Sequence, residues 1–177
     1  MRVELEILPG CYLIKCETFE DLRGTFVKTY HENLYRELGI SFTAREEYYS
    51  VSKKDVIRGM HFQTPPFDHE KIVGCTRGSV LDVLLDLRQG NGYGATASVR
   101  LSGAEHYLVY IPKGIAHGFL SLEPDSLMTY KTSAIHMPDS DLGIHWNSFG
   151  FNWGLENPIL SPRDQQHVAF GKFQSPF

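Results

Sequence analysis

The chain has 177 residues, 42% of them hydrophobic, and a formal net charge of −4. This length suits a single domain over residues 1–177. The acidic balance lacks the clustered basic face of nucleic-acid-binding proteins, and no apolar run approaches the length of a membrane span. The three cysteines have no metal-type spacing and form no disulfide framework, so we expect buried, reduced thiols. We therefore expect a soluble, cytoplasmic protein that binds neither nucleic acid nor membrane.

The N-terminal part of the chain alternates strand-like runs with turn signals. The runs at Cys11 to Thr18 and Thr25 to Thr29 flank a turn at Asp21 to Gly24, where glycine supplies the backbone freedom. The segment His31 to Leu38 carries its apolar residues on one side and ends at Gly39. This pattern predicts a short amphipathic helix.

From residue 44 to residue 133, strand signals recur at short intervals between glycine and proline turns. Such regular spacing predicts an all-β, double-sheet jelly roll with short flanking helices. Farther on, Ser161 at an N-cap, Pro162 at N1 and Asp164 at N3 predict a short C-terminal helix. The predicted strands are Ala44 to Ser52, Val56 to Gln63, Lys71 to Arg77, Ser79 to Leu87, Ala95 to Leu101, Tyr107 to Ile111, His117 to Leu122 and Leu127 to Ser133.

Two histidines on strand-like segments, His61 and His117, mark a candidate site. Inward-pointing polar groups in a small β-domain are costly unless a ligand or partner uses them. His61 beside Arg58 and Lys71 would form a pocket that attracts an anion and stabilises negative charge on a carbonyl oxygen. A histidine kept neutral by its partners is a suitable general base near pH 7, so the pattern indicates proton abstraction next to a carbonyl group.

A metal site made of imidazoles and a carboxylate is the alternative for these histidines. It would need a second histidine two residues after His61, on the same strand face, but Gln63 stands there. His69 and Glu70 lie beyond two prolines, too far to assume the same face. We therefore expect no metal and no cofactor. We expect the other histidines to be satisfied core or surface residues, namely His31, His106, His145 and His167.

Seven motifs follow one another along nearly the whole chain: Asp21-x-Arg23-Gly24-x-Phe26, Ile57 to Gln63, Lys71-Ile72-Val73, Asp82-Val83-x-x-Asp86-x-Arg88, Ile111-Pro112-x-Gly114-x-Ala116-His117-Gly118-Phe119, Tyr130-Lys131 and Leu160-Ser161-x-Arg163-Asp164. Together they resemble the dTDP-4-dehydrorhamnose 3,5-epimerase family, sugar-nucleotide epimerases of the cupin superfamily. The resemblance implies a homodimeric jelly roll that needs no metal.

The resemblance also implies a reaction. An NDP-4-keto-6-deoxyhexose would be deprotonated at the carbon beside its ketone and reprotonated on the opposite face, in deoxysugar biosynthesis for a surface polysaccharide or a glycosylated product. The implied roles are base for His61, orientation of that base for Asp164, acid for Tyr130, enolate stabilisation for Lys71, diphosphate contact for Arg23 and Arg58, sugar contact for His117, and further substrate contacts for Phe26, Gln63, Glu46, Tyr48 and His136.

Three of these positions differ from the residues usual in the family. Glu46 and Tyr48 stand where amide groups contact the ligand, and His136 replaces a tyrosine. Two inversions require the sugar to be repositioned between C3 and C5, and a bulky ring with an added acid should restrict that movement. We therefore predict inversion mainly at C3, on a sugar that carries thymidine or another nucleoside.

Two other functions remain open from the sequence. A 3,4-ketoisomerase would also use histidine and tyrosine near a 4-keto sugar, and a non-catalytic sugar-nucleotide binding module would need no acid or base. Asp164 has a structural alternative as well, because an acid at N3 favours a helix start without any catalysis. For the homodimer, we expect Cys11 to Thr18 to close an open sheet edge by pairing across a two-fold axis.

Overall fold

The computed structural model describes all 177 residues and consists mainly of β-strands. The helices are α1 (Glu32–Glu37) and α2 (Pro162–Gln165), followed by a 3₁₀ turn at Phe170–Lys172. The strands are β1 (Arg2–Leu8), β2 (Cys11–Lys15), β3 (Glu17–Asp21), β4 (Gly24–Lys28), β5 (Glu46–Ser52), β6 (Ile57–Gln63), β7 (Lys71–Arg77), β8 (Ser79–Asp86), β9 (Thr96–Ser102), β10 (Tyr107–Ile111), β11 (Ile115–Ser121), β12 (Ser126–Thr132) and β13 (Asp141–Gly143).

The strands form two sheets packed against each other and a separate hairpin. The six-stranded sheet has the order β1-β2-β10-β7-β12-β5, the five-stranded sheet has the order β13-β6-β11-β8-β9, and β3 pairs only with β4. The predicted double-sheet jelly roll is thus confirmed. No helix is both long and apolar enough to cross a membrane.

The space between the sheets is apolar at one end and polar at the other. Along β7, the inward-facing residues change from Lys71 to Val73 and Cys75, and the last two belong to a buried cluster shared by both sheets. Along β12, Met128 lies in the same cluster, whereas Tyr130 reaches the polar end as well. Alternate residues of each strand share a face, so the sequence of β7 and β12 sets both ends of the interior.

The outer faces of both sheets are covered, which explains why several strands are apolar on both sides. Tyr35 of α1 packs with Ile72 and Tyr110 on the six-stranded sheet. Aromatic residues of the C-terminal segment, such as Trp153 and Phe173, pack on the outer face of the five-stranded sheet. The C-terminal segment is thereby held directly behind β6 and β11.

The N-terminal strands differ from the prediction. The predicted single strand Cys11 to Thr18 is wrong, because the chain leaves the six-stranded sheet at Cys16 and continues as β3 of the hairpin. Its first half cannot close a sheet edge, because β2 lies between β1 and β10. Two strands, β1 and β13, were not predicted. The predicted helices at His31 to Leu38 and from Ser161 onward are confirmed as α1 and α2.

A bulge in β6 sets the direction of the site residues. His61 lies opposite His117 and Arg58 opposite Phe119, so three steps along β6 match two along β11. Arg58 and His61 consequently face the same side, which strict alternation would prevent. The bulge requires glycine, because Gly59 has a φ of +140° and a β-carbon there would lie 2.5 Å from the α-carbon of Gly118.

Replacing Gly118 tests this close approach of two backbones. A β-carbon on Gly118 would lie 2.7 Å from the Met60 sulfur and 2.8 Å from the Arg58 carbonyl oxygen. We expect Gly118→Ala to lower the free energy of unfolding by about 2 to 4 kcal/mol, measured by urea denaturation. Gly171→Ala is the control, since nothing lies within 4 Å of a β-carbon there. Equal stability of the two variants would contradict the account of the bulge.

Candidate active site

A cavity of about 430 Å³ occupies the polar end of the space between the sheets. Most of the predicted site residues line it: His61, Lys71, Tyr130, Arg58, Gln63, His117, Glu46, Tyr48 and His136. A cavity of this size with convergent polar groups is typical of a small-molecule site.

One wall of the cavity holds an imidazole–carboxylate pair. His61 Nε2 lies 2.7 Å from Asp164 Oδ1, and the carboxylate is almost fully buried behind the imidazole. Burial alone would raise the pKa of Asp164, but the hydrogen bond and charge interaction with His61 outweigh it and hold the pKa below its usual range. An ionised carboxylate can only accept, so Nε2 donates, and in a neutral imidazole Nδ1 carries the lone pair.

The short helix α2 positions Asp164. Ser161 is its N-cap, and the Ser161 hydroxyl accepts a hydrogen bond from the Asp164 backbone N–H at 3.0 Å. The side chain of Asp164 is thus free to turn toward His61. Asp164 combines the two roles that the sequence left open: an acid in the first turn of a helix and a hydrogen-bond partner of the candidate base.

Tyr130 lies on the other sheet, where it lines the same cavity. Its hydroxyl is 3.2 Å from Ser50 Oγ, and its ring stacks on Tyr48 with centroids 4.8 Å apart. Burial raises the pKa of Tyr130, so the phenol keeps its proton at neutral pH. A proton acceptor and a proton donor therefore stand on opposite walls of the cavity.

Lys71 reaches from the six-stranded sheet to the five-stranded one. Its Nζ donates a hydrogen bond to the backbone oxygen of His61 at 3.0 Å. Burial lowers the pKa of Lys71 to about 8, an effect that the charges of Asp141 and Asp82 partly offset. An ammonium group has three donors, so two remain for a ligand oxygen in the cavity.

Each of the other polar groups on the β6–β11 wall has its own partner. His117 Nε2 lies 2.7 Å from Asp82 Oδ2, and both side chains are buried. Arg58 Nε donates to Ser52 Oγ at 3.0 Å. His117 and His61 therefore bind different carboxylates, although they lie directly opposite each other in the sheet.

The rim of the cavity is tied together by charged groups. Glu46 accepts a hydrogen bond from the His136 backbone N–H at 2.6 Å. Asp141 forms an ion pair with Arg163 at 2.8 Å and lies 3.6 Å from His136 Nδ1. These contacts fix the start of β5 against the loop that follows β12.

Gln63 connects the loop that follows β6 to the loop that follows β12. Its side-chain amide donates to the Phe67 carbonyl oxygen at 2.7 Å, and its side-chain oxygen accepts the Met137 N–H at 2.7 Å. Its contacts within the chain are therefore with the backbone, and its predicted contact with substrate stays a prediction.

Several cavity residues were not predicted from the sequence. They include His69, whose ring nitrogens are buried without hydrogen-bond partners and whose pKa burial lowers to about 3. His167, expected to be an ordinary core or surface residue, lies beside the pair instead, with its ring centroid 5.3 Å from that of His61. The other unpredicted lining residues are Ser50, Phe62, Thr132, Ala134, Asp141 and Arg163.

Arg23 and Phe26 do not line this cavity. Both lie on the exposed β3–β4 hairpin, where Arg23 pairs with Asp21 at 2.6 Å and Phe26 packs on Phe19. The guanidinium is freely accessible to solvent. If Arg23 and Phe26 contact a substrate as predicted, that substrate must be bound in a cavity other than the one in their own chain.

Comparisons with known proteins point to one family. A model of the dTDP-4-dehydrorhamnose 3,5-epimerase family matches residues 5–172. The dTDP-4-dehydrorhamnose 3,5-epimerase of Escherichia coli is 34% identical over 94% of this chain and 91% of its own length. The dTDP-4-dehydrorhamnose 3-epimerase of Streptomyces niveus is 34% identical over 97% of this chain and 85% of its own length. The Bacillus anthracis 3,5-epimerase, crystallised with TDP and PPi, is 30% identical with a TM-score of 0.91, covering 94% of this chain and 97% of that one.

The site is suited to proton transfer beside a carbonyl group. It combines an imidazole held by an ionised carboxylate, a protonated phenol on the opposite wall and an ammonium group. Fold and site thus define a cupin-like jelly-roll isomerase. The chain belongs to the dTDP-4-dehydrorhamnose 3,5-epimerase family and is an epimerase of deoxysugar biosynthesis.

The two roles of Asp164 can be separated by mutation. Asp164→Asn keeps a polar residue at N3 but gives the imidazole an amide partner, so we expect epimerase turnover to fall about 100-fold or more. Ser161→Ala removes the cap and keeps the carboxylate, so we expect a loss of about 1 kcal/mol in the free energy of unfolding with turnover near wild type. Turnover assays and urea denaturation of both variants distinguish the two roles. Wild-type turnover in Asp164→Asn would leave the carboxylate a purely structural role.

Proposed function

We propose that the enzyme removes the proton at C3 of a nucleoside-diphosphate-linked 4-keto-6-deoxyhexose and returns a proton to the opposite face. The observation that carries this proposal is the placement of His61 and Tyr130 on facing sheets, with one cavity between them. A ring held in that cavity presents one face to each group. Inversion at carbon requires such an arrangement, because the leaving and arriving protons use opposite faces.

The proton transfers balance without any cofactor. His61 Nδ1 takes the C3 proton while the electron pair of the C–H bond moves toward the C4 carbonyl oxygen and forms an enolate. Lys71 donates a hydrogen bond to that oxygen, where negative charge develops. The Tyr130 hydroxyl then gives its proton to C3 from the other side, and exchange with solvent returns the imidazole and the phenolate to their starting states.

The altered rim supports a restriction to C3. Glu46 accepts a hydrogen bond from the backbone of His136, and Tyr48 stacks on Tyr130, and these contacts oppose displacement of either side chain. A sugar in contact with these groups has little room to turn and present C5 to His61. The Streptomyces niveus relative is named a 3-epimerase, so restriction to one centre occurs among similar proteins.

The nucleoside diphosphate extends from the sugar toward the cavity mouth in this proposal. Arg58, on the cavity wall, is the cation in the same chain that would contact the diphosphate. The relatives reported above are named for dTDP sugars, and one was crystallised with TDP, so a dTDP sugar is the first substrate to test. Its product would serve a surface polysaccharide or another glycosylated compound.

We also propose that the enzyme is a homodimer in which the β3–β4 hairpin covers the cavity of the partner subunit. A two-stranded hairpin is marginally stable alone, and this one exposes Phe19, Leu22 and Phe26. Burying these side chains against a second copy would stabilise it. Arg23 and Phe26 would then meet the substrate bound by the partner, which accommodates their predicted roles.

The cytoplasm is the proposed location of the enzyme. Cys11, Cys16 and Cys75 are free and buried, and burial raises the pKa of Cys16 and Cys75 to about 11, which keeps those thiols protonated. Free thiols of this kind are typical of a reducing compartment.

Isotope exchange tests the reaction and its restriction to C3. In D2O with the dTDP-linked 4-keto sugar, we expect NMR to show rapid deuterium incorporation at C3 and at least about tenfold slower incorporation at C5. His61→Ala should abolish exchange, and Tyr130→Phe should leave exchange from the His61 face while blocking inversion. Equal rates at C3 and C5 would refute the restriction. A 3-keto product would indicate a ketoisomerase, and no exchange with any nucleotide would indicate a binding module.

Sedimentation velocity tests the dimer. We expect wild-type protein to sediment as a dimer at micromolar concentration and Phe26→Asp to sediment as a folded monomer, because a charge would be buried at the interface. Ile159→Asp, which changes an exposed apolar residue outside the hairpin, is the control and should stay dimeric. A wild-type monomer would contradict the proposal.

A further inference from the structure

His167 lies beside the imidazole–carboxylate pair and lines a second cavity, not the substrate cavity. Its Nε2 lies 3.7 Å from Asp164 Oδ1, the same oxygen that accepts the hydrogen bond from His61. The side chain is 7% exposed, and neither ring nitrogen has a hydrogen-bond partner. Buried imidazole nitrogens are normally paired, so this ring offers a lone pair that the proposed reaction does not use.

The position of the His167 ring close to His61 depends on a glycine in the neighbouring strand. Gly143 of β13 lies opposite His61 in the sheet, and a β-carbon on Gly143 would lie 2.0 Å from atoms of the His167 ring. Only glycine leaves that space. The segment after α2 is fixed there by a bridge between Val168 and Ile144, which holds the backbone of His167 beside β13.

The three side chains together offer the donor set of a transition-metal site. One nitrogen of His61, one oxygen of Asp164 and one nitrogen of His167 lie within 4.8 Å of one another. Zn²⁺ binds histidine nitrogen and carboxylate oxygen at about 2.0 to 2.2 Å, which puts tetrahedral ligand atoms about 3.3 Å apart. The observed separations of 2.7 Å and 3.7 Å lie on either side of that value. The third separation, between the two imidazole nitrogens, is at most 4.8 Å, so metal binding requires the two rings to move closer together.

Two cavities flank this position. His61 opens to the substrate cavity, and His167 lines a second cavity of about 360 Å³ that shares Asp141 and Arg163 with the first. Arg163, a cation that would repel the ion, is paired with Asp141.

We propose that His61, Asp164 and His167 form an inhibitory binding site for a divalent transition-metal ion such as Zn²⁺, with water completing the coordination. The ion would replace the hydrogen bond between His61 Nε2 and Asp164. The imidazole stays neutral while Nε2 binds the metal, so its single proton moves to Nδ1 through solvent, with no net proton gained or lost. Nδ1 then has no lone pair for the C3 proton, and the base is lost. Inhibition by the ion rests on the proposed function, whereas metal binding at the site does not.

The test compares His167→Gln, which removes one ligand, with His31→Gln, which removes an exposed histidine from another part of the chain. Equilibrium dialysis should show one Zn²⁺ per chain in wild type and His31→Gln, and affinity about tenfold or more weaker in His167→Gln. Co²⁺ should give the visible absorption of a tetrahedral nitrogen–oxygen site in the first two proteins only. In the deuterium-exchange assay, Zn²⁺ should stop C3 exchange in wild type, and EDTA should restore it.

A second measurement needs no variant. Zn²⁺ should shift the imidazole ¹⁵N resonances of His61 and His167 in the wild-type enzyme and leave that of His31 unchanged. Absence of Zn²⁺ binding, or equal affinity in His167→Gln and His31→Gln, would overturn the site. Binding at the site without loss of exchange would overturn its inhibitory role. If metal-free protein shows no exchange at all, the proposed function fails, while dialysis and NMR still decide the site.

Discussion

The hydrogen bond between His61 and Asp164 joins residues 103 positions apart in the sequence, and the organisation of the site depends on it. His61 comes from a strand inside a sheet, whereas Asp164 comes from a four-residue helix, too short to be stable alone. The helix is held because aromatic residues of the C-terminal segment, among them Trp153 and Phe173, cover the outer face of the five-stranded sheet. Burial of apolar surface on one side of the sheet thus fixes the position of His61, the proposed base, which faces the other side.

The polar end of the interior is tolerated because most of its groups are paired. His117 has Asp82, Arg58 has Ser52, and the Lys71 ammonium binds a backbone oxygen. Buried polar groups that satisfy one another are held in place without the energetic cost of unpaired ones. The groups left for a substrate include one nitrogen of His61 and two donors of Lys71, and the ring nitrogens of His69 are also unpaired.

The sequence predicted those parts of the fold and site that follow from a regular period. The double-sheet jelly roll was predicted because short strand signals recur at regular intervals between glycine and proline turns. The break at Cys16 was missed, because the apolar and polar pattern continues while the chain leaves one sheet for the hairpin. The three-residue strand β13 is too short to show a period. Arg58 and His61 share a face only through the bulge at Gly59, which alternation cannot predict.

The feature that would make His61 a base would also make it a metal ligand, since an imidazole nitrogen next to an ionised carboxylate suits both roles. One imidazole and one carboxylate give an ion two donors, fewer than the three that zinc sites in proteins normally have. His167 supplies the third from the side of the second cavity, and it does not line the cavity assigned to substrate. An ion would therefore act on Nε2 while the sugar approaches Nδ1, so the two need not compete for space. Inhibition of this kind lowers kcat and leaves substrate binding largely unchanged, because the ion removes a proton acceptor and not a binding contact.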